Sequence, residues 1–360
     1  MSVYLDCAAA GRPEKEVVDF YSNAILEDYA NQEGVHTLAY RARKHLASAS
    51  TELLEALTGT PEKYRVIWAA SATECFRILA GFLKGKAVIS STLEHPALTA
   101  NFKKETLLHR LECDSCGQIV LPETPLAPDA VILHHVQSEI GALQDQRKLF
   151  AAFPGALTIS DSVQSAGKLP LAENADIHIV SGIKFGSPGG AAMICRNDSP
   201  HTAKLERFSA QMRSSDYLLS RISVPLCRAM AFAAGRCAKE RELCLKKISE
   251  LNTLLKSLLA EFAVRPLLPD SAPQSPYIIN FFLPGIQSAV IVRMLSGQGI
   301  HCASGSACAA EAGGPSPALL AIGKSKNDAY SGLRISFDRF STENDVTFLA
   351  FELKKALKNY

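Results

Sequence analysis

Short apolar runs alternate with longer amphipathic stretches through the first half of the chain. Turn residues bound the apolar runs, which are RVIWAAS (65–71), KAVISST (86–92), DAVILHHV (129–136), ALTISDS (156–162), DIHIVSG (176–182) and GAAMICR (190–196). The stretches 72–84, 95–109 and 145–153 place their apolar residues at helical spacing. Strands that are apolar throughout and alternate with helices are typical of a parallel sheet covered on both faces. The pattern therefore predicts an α/β fold.

The pattern changes in the last third of the chain. One long helical stretch covers 225–262, and it is followed by the strand-like YIINFFLP (277–284), a helix near 287–297, the strand-like GLRISFD (332–338) and a closing helix from about 342. This order predicts a smaller α+β unit. We expect a large domain over 16–239 and a small C-terminal domain over 240–360, which residues 1–15 join by analogy with known folds.

Composition and charge exclude several classes of protein. Hydrophobic residues make up 47% of the chain and charged residues 21%, which is ordinary for a globular protein. The formal net charge is +2, so the chain lacks the excess of positive charge that is typical of proteins that bind nucleic acid or an anionic membrane. No segment reaches the roughly 20 continuous apolar residues of a membrane helix. The opening MSVYLDCAAAGRP does not resemble a signal peptide, and the ten cysteines have no framework spacing. We expect a soluble, cytoplasmic protein with reduced thiols.

Two candidate site segments follow apolar strands directly. Ser71-Ala72-Thr73-Glu74 comes after RVIWAA, and a Ser with Glu three positions later is a capping box, so a helix begins here with free backbone N–H groups. Those groups and the Thr73 hydroxyl suit a phosphate, although the same segment also serves as a plain helix cap. His95 follows KAVISSTL, where a single histidine is more often structural than catalytic.

The next two strand ends bring an acid and an amine. Asp161 ends ALTIS, with Gln164 three residues on, and a buried acid there needs a cationic partner. Lys184 follows DIHIVSG in a turn rich in Gly and Pro, where partial desolvation lowers the pKa of an amine and makes it nucleophilic. Together with the phosphate segment and His95, these residues fit pyridoxal 5′-phosphate, with Asp161 on the pyridine nitrogen and Lys184 carrying the aldehyde.

The order of motifs resembles the cysteine desulfurases within the class V, fold-type I aminotransferase group. The resemblance rests on YLDCAAAGRP, NQEGVHTLAYRAR, SATE, EHPA, HVQSEIG, DSVQSAGKLPL, SGIKFGSPGG, SGSAC and LRISFDRFSTENDV. It covers nearly the whole chain and implies a mostly parallel, seven-stranded type of sheet. It also implies a homodimer with active sites at the subunit interface.

The resemblance assigns roles position by position. Lys184 would be the Schiff-base lysine, and His95 would stack on the cofactor ring and shuttle protons. Asp161 would pair with the pyridinium nitrogen and Gln164 with the ring hydroxyl. The remaining roles are phosphate binding by Ala72, Thr73 and Ser181, a cofactor or substrate contact at Ser138, substrate carboxylate binding by Arg334, and uptake of sulfur as a persulfide by Cys308.

Cys308 lies within CASGSACAAEAGGPSPALLAIG (302–323), a stretch dominated by small residues. Its spacing to Pro315 resembles the subgroup with a long mobile catalytic loop. A thiol that attacks at the cofactor and then carries sulfur outward must move, and a Gly/Ala/Ser loop permits this. We expect Cys308 to be exposed and able to ionise, and Cys302 to lie in the core.

Two substitutions depart from the family pattern. Ile183 stands where the family has a histidine that helps to hold the phosphate, and losing a charge-assisted contact costs roughly 1.5–3 kcal/mol. Ser138 stands in place of an asparagine that contacts cofactor or substrate. The family also has a segment that offers a threonine to the partner subunit's phosphate. Its counterpart in this chain, near Ser214 to Arg221, does not align clearly with the family pattern.

The sequence thus predicts a cysteine desulfurase that converts L-cysteine to L-alanine, with sulfur passed from Cys308 to a scaffold or acceptor protein for iron–sulfur cluster assembly or thiolation. A selenocysteine lyase, a β-lyase or an aminotransferase keeps the cofactor and changes the chemistry. A degenerate relative that acts as a binding partner is the alternative from another class. Cys113 and Cys116 have CxxC spacing without a second pair, so we expect no metal site.

Overall fold

The computed structural model describes residues 2–102, 107–215, 219, 221–260, 262, 264–305 and 314–360. Its helices are α1 (Lys15–Glu27), α2 (Thr37–Thr58), α3 (Ala72–Phe82), α4 (Pro96–Asn101), α5 (Gln146–Ala151), α6 (Thr202–Ser215), α7 (Val224–Leu259), α8 (Ser288–Gly297), α9 (Pro317–Ala321) and α10 (Glu343–Lys358). Its strands are β1 (Val3–Tyr4), β2 (Tyr64–Ala69), β3 (Ala87–Ser91), β4 (Leu107–Leu111), β5 (Ala130–His134), β6 (Leu157–Asp161), β7 (Ile177–Ser181), β8 (Ala191–Arg196), β9 (Arg265–Pro266), β10 (Ile278–Phe282), β11 (Ile300–His301) and β12 (Gly332–Ser336).

The main sheet has seven strands in the order β2-β8-β7-β6-β5-β3-β4. Strands β3 to β7 run parallel, and β8 is antiparallel to both of its neighbours. Every residue of β5, β6 and β7 is buried, as expected for central parallel strands covered on both faces. The predicted α/β fold with a mostly parallel sheet is confirmed.

The prediction of a helix over 95–109 is wrong in its second half. Helix α4 ends at Asn101, and Leu107–Leu111 forms strand β4, parallel to β3 at the sheet edge. Leu107 is largely exposed, and polar His109 and Arg110 face out of the core. An edge strand has a neighbouring strand on one side only, and the exposed polar residues of β4 interrupt the continuous apolar run by which the central strands are recognised.

The second unit is built on a small antiparallel sheet of β12, β10 and β9. Helices α8 and α10 and the second half of α7 pack around it, and the long helix α7 also packs against α1 and α2. Strand β1 pairs in parallel with β11, which brings Val3, Leu5 and Ala8 into the same core cluster. The predicted division into domains over 16–239 and over 240–360 with 1–15 stays a prediction. Within the described part of the chain, each helix is too short or too polar to cross a bilayer.

Candidate active site

A cavity of about 260 Å³ opens at the carboxyl ends of the parallel strands. Parallel α/β sheets bind ligands at this edge. All the predicted site residues that the structure describes line this cavity: Ala72, Thr73, His95, Ser138, Asp161, Gln164, Ser181, Lys184 and Arg334. The structure therefore brings together residues that are up to 262 positions apart, from Ala72 to Arg334. Their individual roles remain predictions.

Lys184 lies in a short 3₁₀ turn, Gly182–Phe185, directly after β7. Its Nζ donates to the carbonyl oxygens of Ala8 at 2.9 Å and Ala9 at 2.6 Å. Burial, with help from the charges of Lys168 and Arg334, lowers the pKa of Lys184 to about 8. The amine is therefore available in its neutral, nucleophilic form near neutral pH.

The N-terminal segment forms one wall of the site, which sequence reasoning did not predict. The amide of Gly11 donates to the carbonyl of Ile183 at 2.8 Å, so the segment is bonded to the lysine turn. A Cβ on Gly11 would lie 3.0 Å from the amide nitrogen of Gly186. Glycine is needed here because the two backbones approach so closely. The only sequence feature that pointed to a role of this segment was the opening YLDCAAAGRP, which resembles the opening of the family.

Asp161 ends β6 and is buried beside the lysine. Its Oδ1 accepts from the amide of Val163 at 3.0 Å. Burial, together with the nearby charge of Glu94, raises the pKa of Asp161 to about 6. In the absence of a cationic ligand this carboxylate is poorly stabilised, so the site favours a positively charged group next to it.

Gln164 contributes an unused acceptor. Its Nε2 donates to the carbonyl of Ala8 at 2.9 Å, and its Oε1 is buried with no hydrogen-bond partner. A buried polar atom without a partner is costly. The cavity therefore favours a ligand that brings a donor to this position.

The first turn of α3 forms the opposite end of the cavity. Ser71 caps the helix by accepting from the amide of Glu74 at 3.2 Å. The amides of Ala72 and Thr73 are in the first turn, where helix N–H groups have no intrahelical acceptor. The predicted capping box is wrong in its second half, because the Glu74 carboxylate pairs with Arg213 at 2.7 Å instead of turning back to Ser71. That cation outcompetes the backbone amide.

Two more side chains lie near this end. Ser181 ends β7 and is buried, with its side chain on the cavity wall. Ile183 also lines the cavity and is 40% exposed. The hydrocarbon at position 183 offers no donor to an anion, so the phosphate end of the cavity has fewer donors than the family pattern implies.

His95 lies at the mouth of the cavity as the N-cap of α4. Its Nδ1 accepts from the amide of Ala97 at 3.1 Å, which leaves Nε2 to carry the hydrogen of the neutral ring. Burial of the ring and the charge of Lys184 lower the pKa of His95. The neutral ring can therefore donate or exchange a proton at Nε2.

Arg334, on β12, is 2% exposed. Its Nη2 pairs with Asp6 Oδ1 at 2.7 Å and its Nη1 donates to the carbonyl of Ser138 at 3.0 Å. Its Nε is buried with no hydrogen-bond partner. The guanidinium is thus fixed from two sides and keeps a donor for an anion. Asp6 was not predicted as a site residue, because its contact with Arg334 exists only in the folded chain.

A buried pair behind Asp161 was also missed. His134 Nδ1 lies 2.8 Å from Glu94 Oε1, and its Nε2 lies 3.2 Å from Gln144 Nε2. His134 is the register neighbour of Asp161 on the adjacent strand. Glu94 places a negative charge close to Asp161 and raises its pKa, whereas His134 acts in the opposite direction.

Cys308 lies outside the described residues. Two described residues near the ends of that segment, Gly305 directly before it and Ser316 shortly after it, both meet Glu139. Ser316 Oγ donates to Glu139 Oε1, and a Cβ on Gly305 would lie 2.9 Å from the same oxygen. Glu139 directly follows Ser138, so the base of the segment is attached to the cavity wall. Cys302 is buried, and burial raises its pKa to about 12, in agreement with the expected core position.

One cluster outside the cavity has metal-ligand residue types. Among the described residues, Glu27, Asp28 and His45 form a group of three possible ligands. Arg228 Nη1, however, lies 2.7 Å from Glu27 and 2.5 Å from Asp28. A guanidinium already neutralises these carboxylates, so the group is an ion-pair network.

The cavity residues fit pyridoxal 5′-phosphate. An amine with a lowered pKa, a buried acid that needs a cation, a free acceptor at Gln164 and helix N–H groups at α3 line one cavity. These four features match the aldehyde, the pyridinium nitrogen, the ring hydroxyl and the phosphate of that cofactor.

Comparison with known proteins supports this interpretation. The cysteine desulfurase IscS of Pseudomonas entomophila is 26% identical, with 99% of this chain and 93% of that protein covered. A NifS/IcsS protein homolog of Lactobacillus delbrueckii is 25% identical over 97% of this chain and 96% of its own length. A NifS-like protein from Rickettsia africae superposes with a TM-score of 0.84 at 18% identity, covering 99% of this chain and 100% of that one. The apo structure of a cysteine desulfurase from Thermococcus onnurineus gives 0.77 at 18% identity, covering 100% and 95%.

The structural likenesses establish the fold, with the main sheet and the small unit in the same arrangement. The model of the aminotransferase class-V family matches residues 3–223 and 227–349, which is nearly the whole chain. The chain therefore belongs to the aminotransferase class-V family.

Proposed function

We propose that this chain is a pyridoxal-phosphate-dependent cysteine desulfurase that converts L-cysteine to L-alanine and takes the sulfur on Cys308. The observation that carries the proposal is the cavity in which Lys184, Asp161, Gln164 and Arg334 meet. The curated relatives named as cysteine desulfurases cover almost the whole chain. Both lines of support point to the same chemistry.

Pyridoxal phosphate, when bound, supplies an electron sink for the carbon atoms of an amino acid. The residues of this chain would supply the rest. Asp161 would hold a positive charge on the ring nitrogen, and the first turn of α3 with Ser181 would hold the phosphate. Arg334, fixed by Asp6, would bind the substrate carboxylate and set the orientation of the α-carbon.

Proton movement would use two groups with lowered pKa values. The Lys184 amine, with a pKa of about 8, is able to remove a proton at the α-carbon near neutral pH. His95 is neutral and carries a hydrogen on Nε2 at the mouth of the cavity. It would exchange protons with the leaving sulfur. The two groups are therefore suited to base and acid roles.

The sulfur transfer balances without an external oxidant. The Cys308 thiolate would attack the sulfur of the bound cysteine, so that an S–S bond forms and the Cβ–S bond breaks. The electron pair of that bond goes to Cβ, which takes up a proton and becomes the methyl group of alanine. Sulfur is oxidised to the sulfane level as carbon is reduced, and Cys308 is left as a persulfide.

We also propose the predicted partners and location. Exposed apolar side chains cluster on and after α1 and at the start of α2, namely Leu26, Tyr29, Val35 and Tyr40. Such a surface fits a second copy of this chain, and sedimentation analysis tests the homodimer. A sulfur-acceptor or scaffold protein would take the persulfide sulfur. The nine described cysteines are free thiols, which supports a reducing, cytoplasmic setting.

The test is release of alanine and sulfide from L-cysteine, with pyridoxal phosphate and a thiol reductant, by wild type and Cys308→Ala. Cys116→Ala serves as a matched control, since Cys116 is half-buried and does not line the cavity. We expect wild type and the control to release both products and Cys308→Ala to release neither. Equal activity of all three would instead indicate a lyase. No turnover despite cofactor binding would indicate another substrate, or a binding role without catalysis.

A further inference from the structure

Lys168 is a buried lysine that the proposed reaction does not use. It is 7% exposed, and it forms no hydrogen bond or ion pair through its amine within the described part of the chain. Its amine lies 5.9 Å from the ring centre of Tyr277, which is a cation–π distance. Burying an amine without a carboxylate partner is costly. Its position therefore calls for a physical explanation.

Lys168 and Lys184 face the same second cavity. This cavity of about 50 Å³ is lined by both lysines and shares Lys184 with the larger one. The turns that carry the two lysines are in direct contact, because a Cβ on Gly167 would lie 3.1 Å from Cβ of Phe185. Gly167 has a positive φ of 75°, so glycine also suits the backbone of that turn.

The groups around Lys168 leave its charge uncompensated. The charge of Asp338 acts on Lys168, but that carboxylate is bound at both oxygens by Arg12 at 2.8 and 2.5 Å. Cys7 and Cys237 also face the lysine, but burial raises the pKa of both thiols, that of Cys237 to about 11. These thiols stay neutral near pH 7 and do not balance an ammonium.

The groups around Lys184 carry charges of both signs. Arg334 adds a positive charge nearby, and Asp6, which favours the protonated amine, is itself paired with Arg334 at 2.7 Å. Asp161, with a pKa of about 6, is ionised near pH 7 and also favours the protonated amine. Among the charges that disfavour the protonated amine, that of Lys168 is the largest.

We propose that Lys168 is a positioning residue that acts on Lys184 through charge, as a second cation that disfavours protonation of the reactive amine. A lysine amine becomes more nucleophilic when another cationic group lies next to it, because the neighbouring charge disfavours the protonated form. The pKa values of both lysines are lowered, mainly by burial, and Lys168 is the largest charge acting on Lys184. The two amines therefore titrate as a coupled pair that resists taking up both protons. This inference rests on the proposed role of Lys184 as the cofactor-binding amine.

The test is the pH dependence of Lys184 labelling in the full-length, cofactor-free chain. An amine-acylating reagent is applied between about pH 6 and pH 10, and labelled Lys184 is quantified by peptide mass spectrometry. Wild type is compared with Lys168→Met and Lys168→Arg, and exposed Lys204→Met is the matched control. Labelling of Lys256, which is paired with Asp270 on the surface, is the internal reference.

Removing a like charge favours the protonated amine, so Lys168→Met should raise the labelling midpoint of Lys184 by about one pH unit. Below the midpoint, labelling should then be about tenfold slower. Lys168→Arg, whose charge is fixed, should keep the midpoint at or below that of wild type, and Lys204→Met should leave it unchanged. A merely structural role of Lys168 would not produce this pattern.

An unchanged midpoint in folded Lys168→Met overturns the proposal. If that variant does not fold, a raised midpoint in Lys168→Arg overturns it, and a midpoint at or below the wild-type value supports it. The labelling needs no substrate turnover. If the proposed desulfurase function is wrong, wild type will release no alanine from L-cysteine. The labelling result can still be interpreted in that case.

Discussion

Asp6 and Arg334 lie 328 positions apart in the chain and form an ion pair at 2.7 Å on the wall of the cavity. Arg334 is almost fully buried, whereas the Asp6 side chain is 24% exposed. The carboxylate fixes Nη2, the Ser138 carbonyl fixes Nη1, and Nε remains without a partner. Asp6 therefore fixes the orientation of the guanidinium, which in the proposed reaction would bind a substrate carboxylate.

Asp6→Asn should raise KM for L-cysteine more than it lowers kcat. The amide keeps the shape of the carboxylate but loses its charge, so Arg334 is held less firmly while the hydrogen bonds of Lys184 and Asp161 are kept. Loss of one charge-assisted contact corresponds to roughly a tenfold fall in kcat/KM. Steady-state kinetics measure the effect, with Asp270→Asn, at an exposed surface pair, as control. A fall in kcat alone at unchanged KM would contradict this role.

Asp161→Asn should stabilise the cofactor-free chain at pH 8 while weakening cofactor binding. The folded pKa of about 6 lies above the ordinary value of 3.8, so the ionised form destabilises the fold. That penalty is fully present above pH 6 and disappears as the pH falls towards 3.8. Asparagine removes it, with a gain of about 2–3 kcal/mol as an upper estimate.

Urea unfolding of Asp161→Asn and wild type at pH 8 and at about pH 5 measures this difference. The gain should shrink at the lower pH, and pyridoxal phosphate binding should be weaker at both. A variant that is less stable than wild type at pH 8 would show that the hydrogen bond to Val163 outweighs the burial of charge.

Uptake of pyridoxal phosphate by the cofactor-free chain should speed up as the pH rises through about 8. Only the neutral Lys184 amine attacks an aldehyde, and its pKa is lowered to about 8. Below that value the rate should rise about tenfold per pH unit, and above it the rate should level off. The visible absorbance of the bound cofactor follows the reaction. A rate that keeps rising towards pH 10 would indicate an amine with an ordinary pKa.

The sequence predicted the parts of this site that follow buried strands. Asp161, Ser181 and Lys184 stand directly after apolar runs, and the carboxyl ends of such runs must meet at one sheet edge. Asp6 and the carbonyls of Ala8 and Ala9 could not be located this way. They arrive from the N-terminal segment through tertiary contacts, for which a local pattern carries no signal.

Some secondary structure was missed for related reasons. Strand β4 lies at the sheet edge, where Leu107, His109 and Arg110 are exposed and the apolar run is interrupted. Helices α1 and α2 pack mainly on α7 rather than on the sheet, so they lie outside the strand–helix alternation from which the fold was predicted. The buried Lys168 follows a glycine turn that only the folded backbone brings against Phe185.

Ser316→Ala should slow alanine formation without weakening cofactor binding. The Ser316 hydroxyl donates to Glu139 and accepts from the amide of Leu319 at 3.1 Å as the N-cap of α9. Losing these contacts should cost about 1 kcal/mol of local stability at the base of the Cys308 segment, for a several-fold slower first turnover. Single-turnover kinetics and cofactor titration separate the two effects.

Exposed Ser325→Ala, which loses a similar cap-like bond at Asp328, should form alanine at the wild-type rate. Equal slowing in both variants would exclude a specific role for Ser316.

Ile183→His should tighten cofactor binding. Ile183 lines the cavity next to Ser181 and is 40% exposed, so an imidazole has room to reach the phosphate end. A charge-assisted bond to a phosphate contributes about 1.5–3 kcal/mol, which corresponds to roughly a tenfold or greater fall in Kd. Equilibrium titration of the cofactor-free chain measures the change, with Ile183→Gln separating a neutral hydrogen bond from a charged one. If Ile183→His binds no tighter than wild type, the phosphate already has its full set of donors, and the isoleucine has an independent role in shaping the cavity.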